Sequence, residues 1–522
     1  MRFIFLFLLS FIVLQTDATA DIHHHFHEIQ SDSNALYAFF KEMPKGGELH
    51  YHLAGGAYPE TMLNLAEKQD YCINKQSFSI LKYKEICHGI KSRDLTSQPD
   101  VYNQTIRAWS MKDFIPGKES RHDHFFSSFY KFMPLVADFR PQLLAEIMQR
   151  AANQHELYLE IMILPDNAHS ASYGSLIKDI QSLNGKKQFL LSNKDFHHNN
   201  RHTIKESQRI LQQARHELHC DTQPTQPVCH LTVKFQYYIL REQPLDNVFA
   251  QALNGFLAAS QSPEIVAINL VQAEDGMISL RDYRNQMQII NFLHKNYPNV
   301  HIALHAGELS PQEVHPDELR FHIHDAIFTG KAERIGHGVD IAYENNVETL
   351  IKHMAKKPVP VEINLTSNQE ILNISRAEHP IHYYLAHQVP IVLSTDDEGI
   401  LRTDLTRQYV DAVLHHQLDY KTIKMINRNA LTYSFIPGQS LWADANKAIP
   451  VKNCLNLNSN ACKFFIKTSE KATLQWQLEN QLIAFEKQYE QVEKKITGEK
   501  HTTLSSYKGS TKYNERMLID KS

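Results

Sequence analysis

Eight short runs of apolar and β-branched residues recur along the chain: Glu48–His52, Leu157–Leu164, Thr232–Tyr238, Ile265–Val271, Val300–His305, Arg334–Gly336, Val359–Leu365 and Ile391–Ser394. Several are near-continuous apolar runs, as parallel strands buried on both faces require. Helical patterns such as Leu280–His294 lie between them. Eight strands alternating with helices predict an α/β fold, a (β/α)8 TIM barrel. Near the C-terminus Leu474, Leu478, Leu482, Phe485, Tyr489, Val492 and Ile496 recur at spacings of three and four, one amphipathic helix to pack on the barrel.

Two gaps are longer than one helix needs. Residues 68–122 hold Cys72, Cys87, Trp109 and many polar residues, and read as an inserted subdomain after the first strand, pinned by a disulfide. Residues 181–230 read as a smaller elaboration, with Cys220 and Cys229 closing a proline-containing loop. The expected organisation is a signal peptide over 1–20, an N-terminal helical segment over 21–43, the barrel over 44–440, a C-terminal extension with its helix over 441–497, and a mobile tail over 498–522.

Composition narrows the class. With 54 Lys+Arg against 58 Asp+Glu, the net charge of −4 argues against a nucleic-acid binder. Hydrophobic residues at 42% and charged residues at 21% are ordinary for a globular chain. The first twenty residues change the expected compartment. Arg2, the apolar run Phe3–Leu14 and the A-x-A pattern Ala18-Thr19-Ala20 read as a secretory signal, with Asp21 first in the mature chain. The run is short for a bilayer, so no stable membrane insertion is expected; the exported protein is secreted or periplasmic. Export permits disulfides, and local pairing of the six cysteines is the simplest arrangement: Cys72–Cys87, Cys220–Cys229 and Cys454–Cys462. Buried free thiols are the alternative. The cluster His23, His24, His25 and His27 reads as a solvated spacer rather than a part of an active site.

The chemistry sits at the strand ends. The first strand runs GELHYHLAGG, and His50 and His52, two apart, face the same side. The fifth ends HIALHAGE, with His305 and Glu308; the sixth gives RIGHGVD, with His337 between glycines; the eighth gives IVLSTDDEG, with Asp396 and Asp397. Adjacent acids after an apolar strand need a cationic balance. Each residue alone has a plainer reading, as a helix cap or a packed histidine. Together they fall on the C-terminal face, where barrel active sites form. Three imidazoles and the Asp396 carboxylate suit one zinc ion per chain, which lowers the pKa of a water. Glu308 and His337 then supply acid/base partners, and Asp397 orients water or substrate.

MPKGGELHYHLAGG, HAGE, RIGHG and STDD, in this order, resemble the adenosine/AMP deaminase family, from about Met43 to about Ser440. The signal peptide, the cysteine-bearing insertion, AWSMKDF through LYLEIMI, and EINLTSNQ are most similar to its secreted branch, the adenosine deaminase-related growth factors. The resemblance implies zinc ligation by His50, His52, His305 and Asp396. It implies that Glu308 protonates a purine ring nitrogen, that His337 orients the zinc-bound water and helps remove its proton, and that Asp397 hydrogen-bonds another purine nitrogen. The substrate would be a purine nucleoside, adenosine going to inosine and ammonia. Trp109 aligns with an aromatic residue near the nucleoside pocket. The branch forms homodimers through N-terminal helices; Asn34–Lys41 suits either that or intramolecular packing. Two departures bear on substrate choice. A ribose-contacting acid is missing, since Leu53 and Ala54 stand where the family's two patterns carry it. Gln272 replaces a glycine that meets the purine through its backbone, while Glu274 and Asp275 are retained. A related deaminase or amidohydrolase of a modified adenine nucleoside or nucleotide is therefore an alternative. A non-catalytic signalling scaffold is another, although none of the expected ligands or proton carriers is lost.

Overall fold

The computed structural model describes the backbone of residues 16–506 and the side chains of residues 22–489. Residues Arg2–Leu14 of the expected signal peptide and residues 507–522 of the expected tail lie outside the described residues.

Eight parallel strands form one sheet: β1 Glu48–His52, β2 Tyr158–Ile163, β3 Thr232–Leu240, β4 Ile265–Val271, β5 His301–Ala306, β6 Arg334–His337, β7 Val361–Ile363 and β8 Ile391–Leu393. They neighbour one another in chain order. A parallel bridge between Tyr51 and Asp396 brings the last strand back to the first and closes the barrel. Each strand falls on one of the eight expected runs. The seventh is shorter than the run Val359–Leu365, because Asn364 turns out of the sheet (φ −118°, ψ 78°) to open the helix Leu365–Leu372. Register sets the site: His305 pairs with Gly336, and Ala306 with His337, so the ends of β5 and β6 lie side by side.

After β1 the chain leaves the barrel. Strands Tyr71–Ile73, Ile80–Lys82 and Ile90–Lys91 form a small antiparallel sheet that holds the Cys72–Cys87 bond. The helix Pro99–Ala108 follows, with proline in its first turn. The long helix Arg121–Asn153 returns the chain to β2. It bends at Phe139 (φ −123°, ψ 22°), two residues before Pro141, whose ring cannot follow a regular helical turn. Cys220–Cys229 closes the loop before β3, and Cys454–Cys462 braces a small C-terminal cluster with Leu441 and Phe465. All six cysteines are thus paired locally. No described helix is long and apolar enough to cross a membrane.

The N-terminal histidines differ from expectation. They lie on a helix, Thr16–Ile29, with His23, His24 and His27 exposed as expected but on ordered backbone rather than a spacer. The reason is an apolar stripe: Ile22 and Phe26, four apart, are buried against Phe39, Phe40 and Tyr420. His25 packs its ring 4.8 Å from that of Tyr489 on the C-terminal helix Glu470–Ser506. Leu474, Leu478, Leu482 and Phe485 of that helix are buried, and the helix continues past residue 498. The expected helix over Asn34–Lys41 spans Ser33–Glu42 and buries Leu36, Phe39 and Phe40 within the chain.

Candidate metal centre and active site

His50 and His52 leave β1 on one side, and the seam with β8 lays Asp396 against them. The His52 N–H donates to the Asp396 carbonyl at 3.0 Å, and the Asp396 N–H to the His50 carbonyl at 3.3 Å. Asp396 itself sits at φ +66°, a conformation that costs an L-residue energy and turns its carboxylate back toward the histidines. His337 at the end of β6 is held in the same way, at φ +67°.

The donor atoms converge. Asp396 Oδ1 lies 3.3 Å from His50 Nε2 and 3.2 Å from His52 Nε2, and His52 Nε2 lies 3.2 Å from His305 Nε2. Ligands about 2.0–2.1 Å from one tetrahedral zinc ion sit about 3.3 Å from each other, so these edges have the right length. His50 Nε2 is buried without a hydrogen-bond partner. The donor set therefore fits zinc. His337 stands one step back, its Nε2 4.0 Å from Asp396 Oδ2 and 3.6 Å from Glu308 Oε1. His337 shares a buried group with His50, His305 and Asp396, whose ligand atoms all lie within 4.8 Å of one another, and its Nε2 is likewise unpartnered; it is the member of that group that also faces Glu308, the expected acid.

Glu308 is buried, and burial, reinforced by the Asp396 and Glu274 charges, pushes its carboxyl up to about 8. That shift favours the protonated acid that proton donation requires. Burial drives His337 down to about 3, leaving its imidazole neutral. The neutral tautomer follows from its neighbours. The Ile381 N–H donates to His379 Nδ1, so His379 Nε2–H donates to Asn368 Oδ1. Asn368 Nδ2 then donates to His337 Nδ1 at 2.9 Å, which places the His337 proton on Nε2. Asp397 is buried with Oδ1 unpartnered, and burial and the Asp396 charge raise its carboxyl well above the usual range. A Cβ on Gly55 would meet that oxygen at 2.0 Å, so only glycine fits there.

Sequence reasoning notes Glu274 without a role and passes over the other residues that hold these groups in place. Glu274 accepts the backbone N–H of Gly307 (3.1 Å) and of Glu308 (2.8 Å), and pairs with His322 Nδ1 at 2.6 Å. Ser367 donates to Asp396 Oδ2 at 2.7 Å. Glu362 lies 2.8 Å from His50 Nδ1, and Asn269 Oδ1 lies 2.9 Å from His305 Nδ1. The available signal is a charge or an amide in the middle of a buried strand, as in VPVEIN and AINLV.

Trp109, an expected substrate contact, takes another place, while Gln272 keeps its position in the loop after β4. Trp109 has no exposed surface: its indole N–H donates to the Phe78 carbonyl at 2.8 Å and its ring packs on Phe132. It fills the core of the insertion and in this conformation offers a ligand no surface. Gln272 keeps a glycine-like backbone at φ +89°, and its side-chain oxygen accepts the Glu242 N–H at 2.9 Å. At the mouth, His122 Nε2 pairs with Asp275 Oδ1 at 3.1 Å, tying the start of the long helix to the loop after β4.

Known proteins resemble part of this chain. An aminodeoxyfutalosine deaminase of Streptomyces coelicolor is 32% identical over 149 residues, 28% of this chain and 35% of that protein. An adenosine deaminase of Klebsiella pneumoniae is 33% identical over 140 residues, 27% of this chain and 39% of that protein. An N6-methyl-AMP deaminase of Danio rerio is 28% identical over 156 residues, 28% of this chain and 42% of that protein. The chain thus spans less than half the length of these curated relatives. The fold is also that of the apo N6-methyl-AMP deaminase from Arabidopsis thaliana, with a TM-score of 0.51 at 19% identity, covering 77% of this chain and 94% of that one. The family model for adenosine deaminase matches residues 118–441, which hold seven of the eight barrel strands, with His305, Glu308, His337, Asp396 and Asp397 among them. With more than half of its length matched, the chain belongs to the adenosine deaminase family.

Proposed function

We propose that the protein is an exported, zinc-dependent hydrolase that deaminates adenosine and 2′-deoxyadenosine, giving inosine from adenosine, with release of ammonia. The observation that carries this reading is a buried Glu308 facing His337 Nε2 at 3.6 Å beside Asp396, which lies 3.3 Å from His50 Nε2 and 3.2 Å from His52 Nε2, with His52 Nε2 3.2 Å from His305 Nε2. His50, His52, His305 and Asp396 would hold the zinc, which when bound supplies the Lewis acidity that makes a water nucleophilic near neutral pH. Glu308 gives its proton to a purine ring nitrogen and draws electron density from carbon six. Asp397, whose carboxyl is shifted by burial toward its neutral form, hydrogen-bonds a second ring nitrogen. His337 holds the attacking oxygen through Nε2–H. The water oxygen bonds to carbon six and the bond to the amino group breaks. One water proton leaves in ammonia and the other restores Glu308, whose own proton stays on the ring. The A-x-A pattern and three disulfides support export.

Ala54 favours a second reading, a modified adenine nucleoside or nucleotide as substrate, because it stands where the family carries a ribose-contacting acid. The names of the relatives from Danio rerio and Streptomyces coelicolor support it. One experiment separates the two. Protein recovered from the exported fraction, its first residue established by intact mass, is offered adenosine, 2′-deoxyadenosine, adenine, AMP and N6-methyl-AMP, and ammonia and methylamine are measured. Turnover of adenosine, with Glu308→Gln slower by a factor of roughly 10²–10⁴ at unchanged zinc content, is expected. Turnover of AMP or N6-methyl-AMP alone would move the substrate. An active Glu308→Gln would remove the assigned acid, and a first residue other than Asp21 would remove the cleavage site.

A further inference from the structure

Barrels of this kind are ordinarily filled by branched apolar side chains. Here one layer of the interior is polar and continuous. His50 Nδ1 on β1 meets Glu362 Oε2 on β7 at 2.8 Å. Arg334 Nε on β6 donates to Glu362 Oε1 at 2.5 Å, and Arg334 Nη2 donates to Glu160 on β2. Gln236 Nε2 on β3 donates to Glu160 Oε1 at 2.9 Å and to the Leu49 carbonyl at 3.0 Å. Gln236 Oε1 accepts from Asn269 Nδ2 on β4 at 2.9 Å. Asn269 Oδ1 accepts from His305 Nδ1 on β5 at 2.9 Å. The path leaves one expected zinc ligand and arrives at another. None of the five linking side chains is more than 1% exposed.

The polarity of the path is fixed by chemistry. A carboxylate and a carbonyl only accept, so the amide group of Gln236 that faces Glu160 and Leu49 is its NH2. Its oxygen then faces Asn269, whose NH2 is spent there and whose oxygen is left for His305. The backbone N–H groups of His305 and Leu270 donate to the same oxygen. At the other end Arg334 only donates, Glu362 only accepts, and His50 must give its Nδ1 proton. Both histidines are left with the Nε2 lone pair toward the donor cluster.

We propose that Glu362, Arg334, Glu160, Gln236 and Asn269 act together as positioning residues that set the tautomer of His50 and His305 and thereby the affinity for zinc. The proposal rests on the zinc-dependent reading given above. Its sharpest consequence concerns Glu160, which touches neither histidine.

Zinc dissociation constants are measured by chelator competition on the full chain, native and variant, with melting temperatures alongside. Glu362→Gln and Glu160→Gln are each expected to bind zinc roughly 10–100-fold more weakly. Asp166→Asn, a buried carboxylate outside the layer, is expected to melt earlier and keep native zinc affinity. Arg334→Lys, which keeps the charge but not both contacts, is expected between native and Glu160→Gln. Native zinc affinity in a folded Glu160→Gln overturns the proposal and leaves the zinc reading standing. A native chain that binds no zinc overturns both. If Glu160→Gln does not fold, Gln236→Met, which cuts the path without removing a charge, decides by the same measurement: weaker binding supports the proposal and unchanged binding overturns it.

Discussion

Gln272 holds a backbone conformation that suits glycine, at φ +89°, in the loop after β4. Strain of this kind costs on the order of 1–3 kcal/mol. The side chain offsets part of it by accepting the Glu242 N–H at 2.9 Å, a contribution of about 1 kcal/mol. Gln272→Ala keeps the strain and loses the bond. Gln272→Gly loses both, at about 0.5–1 kcal/mol of extra chain entropy. The glycine variant is therefore expected to be more stable than the alanine variant by about 1 kcal/mol, the reverse of their usual order. Because the glutamine side chain is tied to Glu242, the glycine variant should change the KM for the substrate by less than about tenfold, roughly 1.4 kcal/mol. Urea unfolding of the three proteins checks the order; an alanine variant at least as stable as the glycine variant would show that the backbone relaxes.

Among elements, the long helix Arg121–Asn153 joins the insertion to the barrel, and its first turn is fastened at two points. Ser120 caps it by accepting the Asp123 N–H at 2.9 Å, and His122 pairs with Asp275 at 3.1 Å. Burial lowers the affinity of His122 for its proton, but the hydrogen bond and charge of Asp275, with help from Asp123 and Glu313, outweigh it and raise the imidazole to about 9. An unfolded histidine titrates near about 6.5. The pair therefore contributes its full stability below about pH 6.5 and loses it as pH rises through about 9. The gap in unfolding free energy between native and His122→Ala should shrink over that interval; a gap constant with pH would remove the ion pair. The sequence makes the strands legible and this fastening not. Runs such as Ile265–Val271 advertise a strand by apolar content alone, and motifs such as HAGE mark where the strands end. His122 and Asp275 meet only because the insertion folds back over the mouth. Trp109 shows the same limit, since an aromatic residue in a cysteine-bounded segment looks alike whether it lines a pocket or fills a core. The N-terminal histidines mask Ile22 and Phe26, and Phe26 meets Tyr420 from far along the chain. The polar layer is hidden differently: Glu362 and Arg334 sit inside strands read as apolar, and nothing local says that they face one another.

In the molecule as a whole, the barrel closes at its weakest ladder. β8 has only three residues, and the seam between it and β1 is made largely by side chains. Ser394 Oγ accepts the Leu49 and His50 N–H groups at 3.3 Å each, and Glu48 accepts both the N–H and the hydroxyl of Thr395 at 2.6 and 2.7 Å. The expected zinc ligands straddle this seam, His50 and His52 on one side and Asp396 on the other, while His305 ties in β5 from across the barrel. A bound cation would thus cross-link the first strand to the last, and its binding energy would appear as barrel closure. At free zinc about a hundredfold above Kd, stability should rise by about 2.7 kcal/mol over the chelated protein, and Asp396→Ala should show no such dependence. The gain should also be local. On chelation, amide hydrogen exchange is expected to quicken at His52 and Asp396, whose N–H groups close the seam, before it quickens in the longer ladder between β3 and β4. Uniform quickening across all strands would mean that zinc stabilises the fold globally and that the seam is not where the barrel opens.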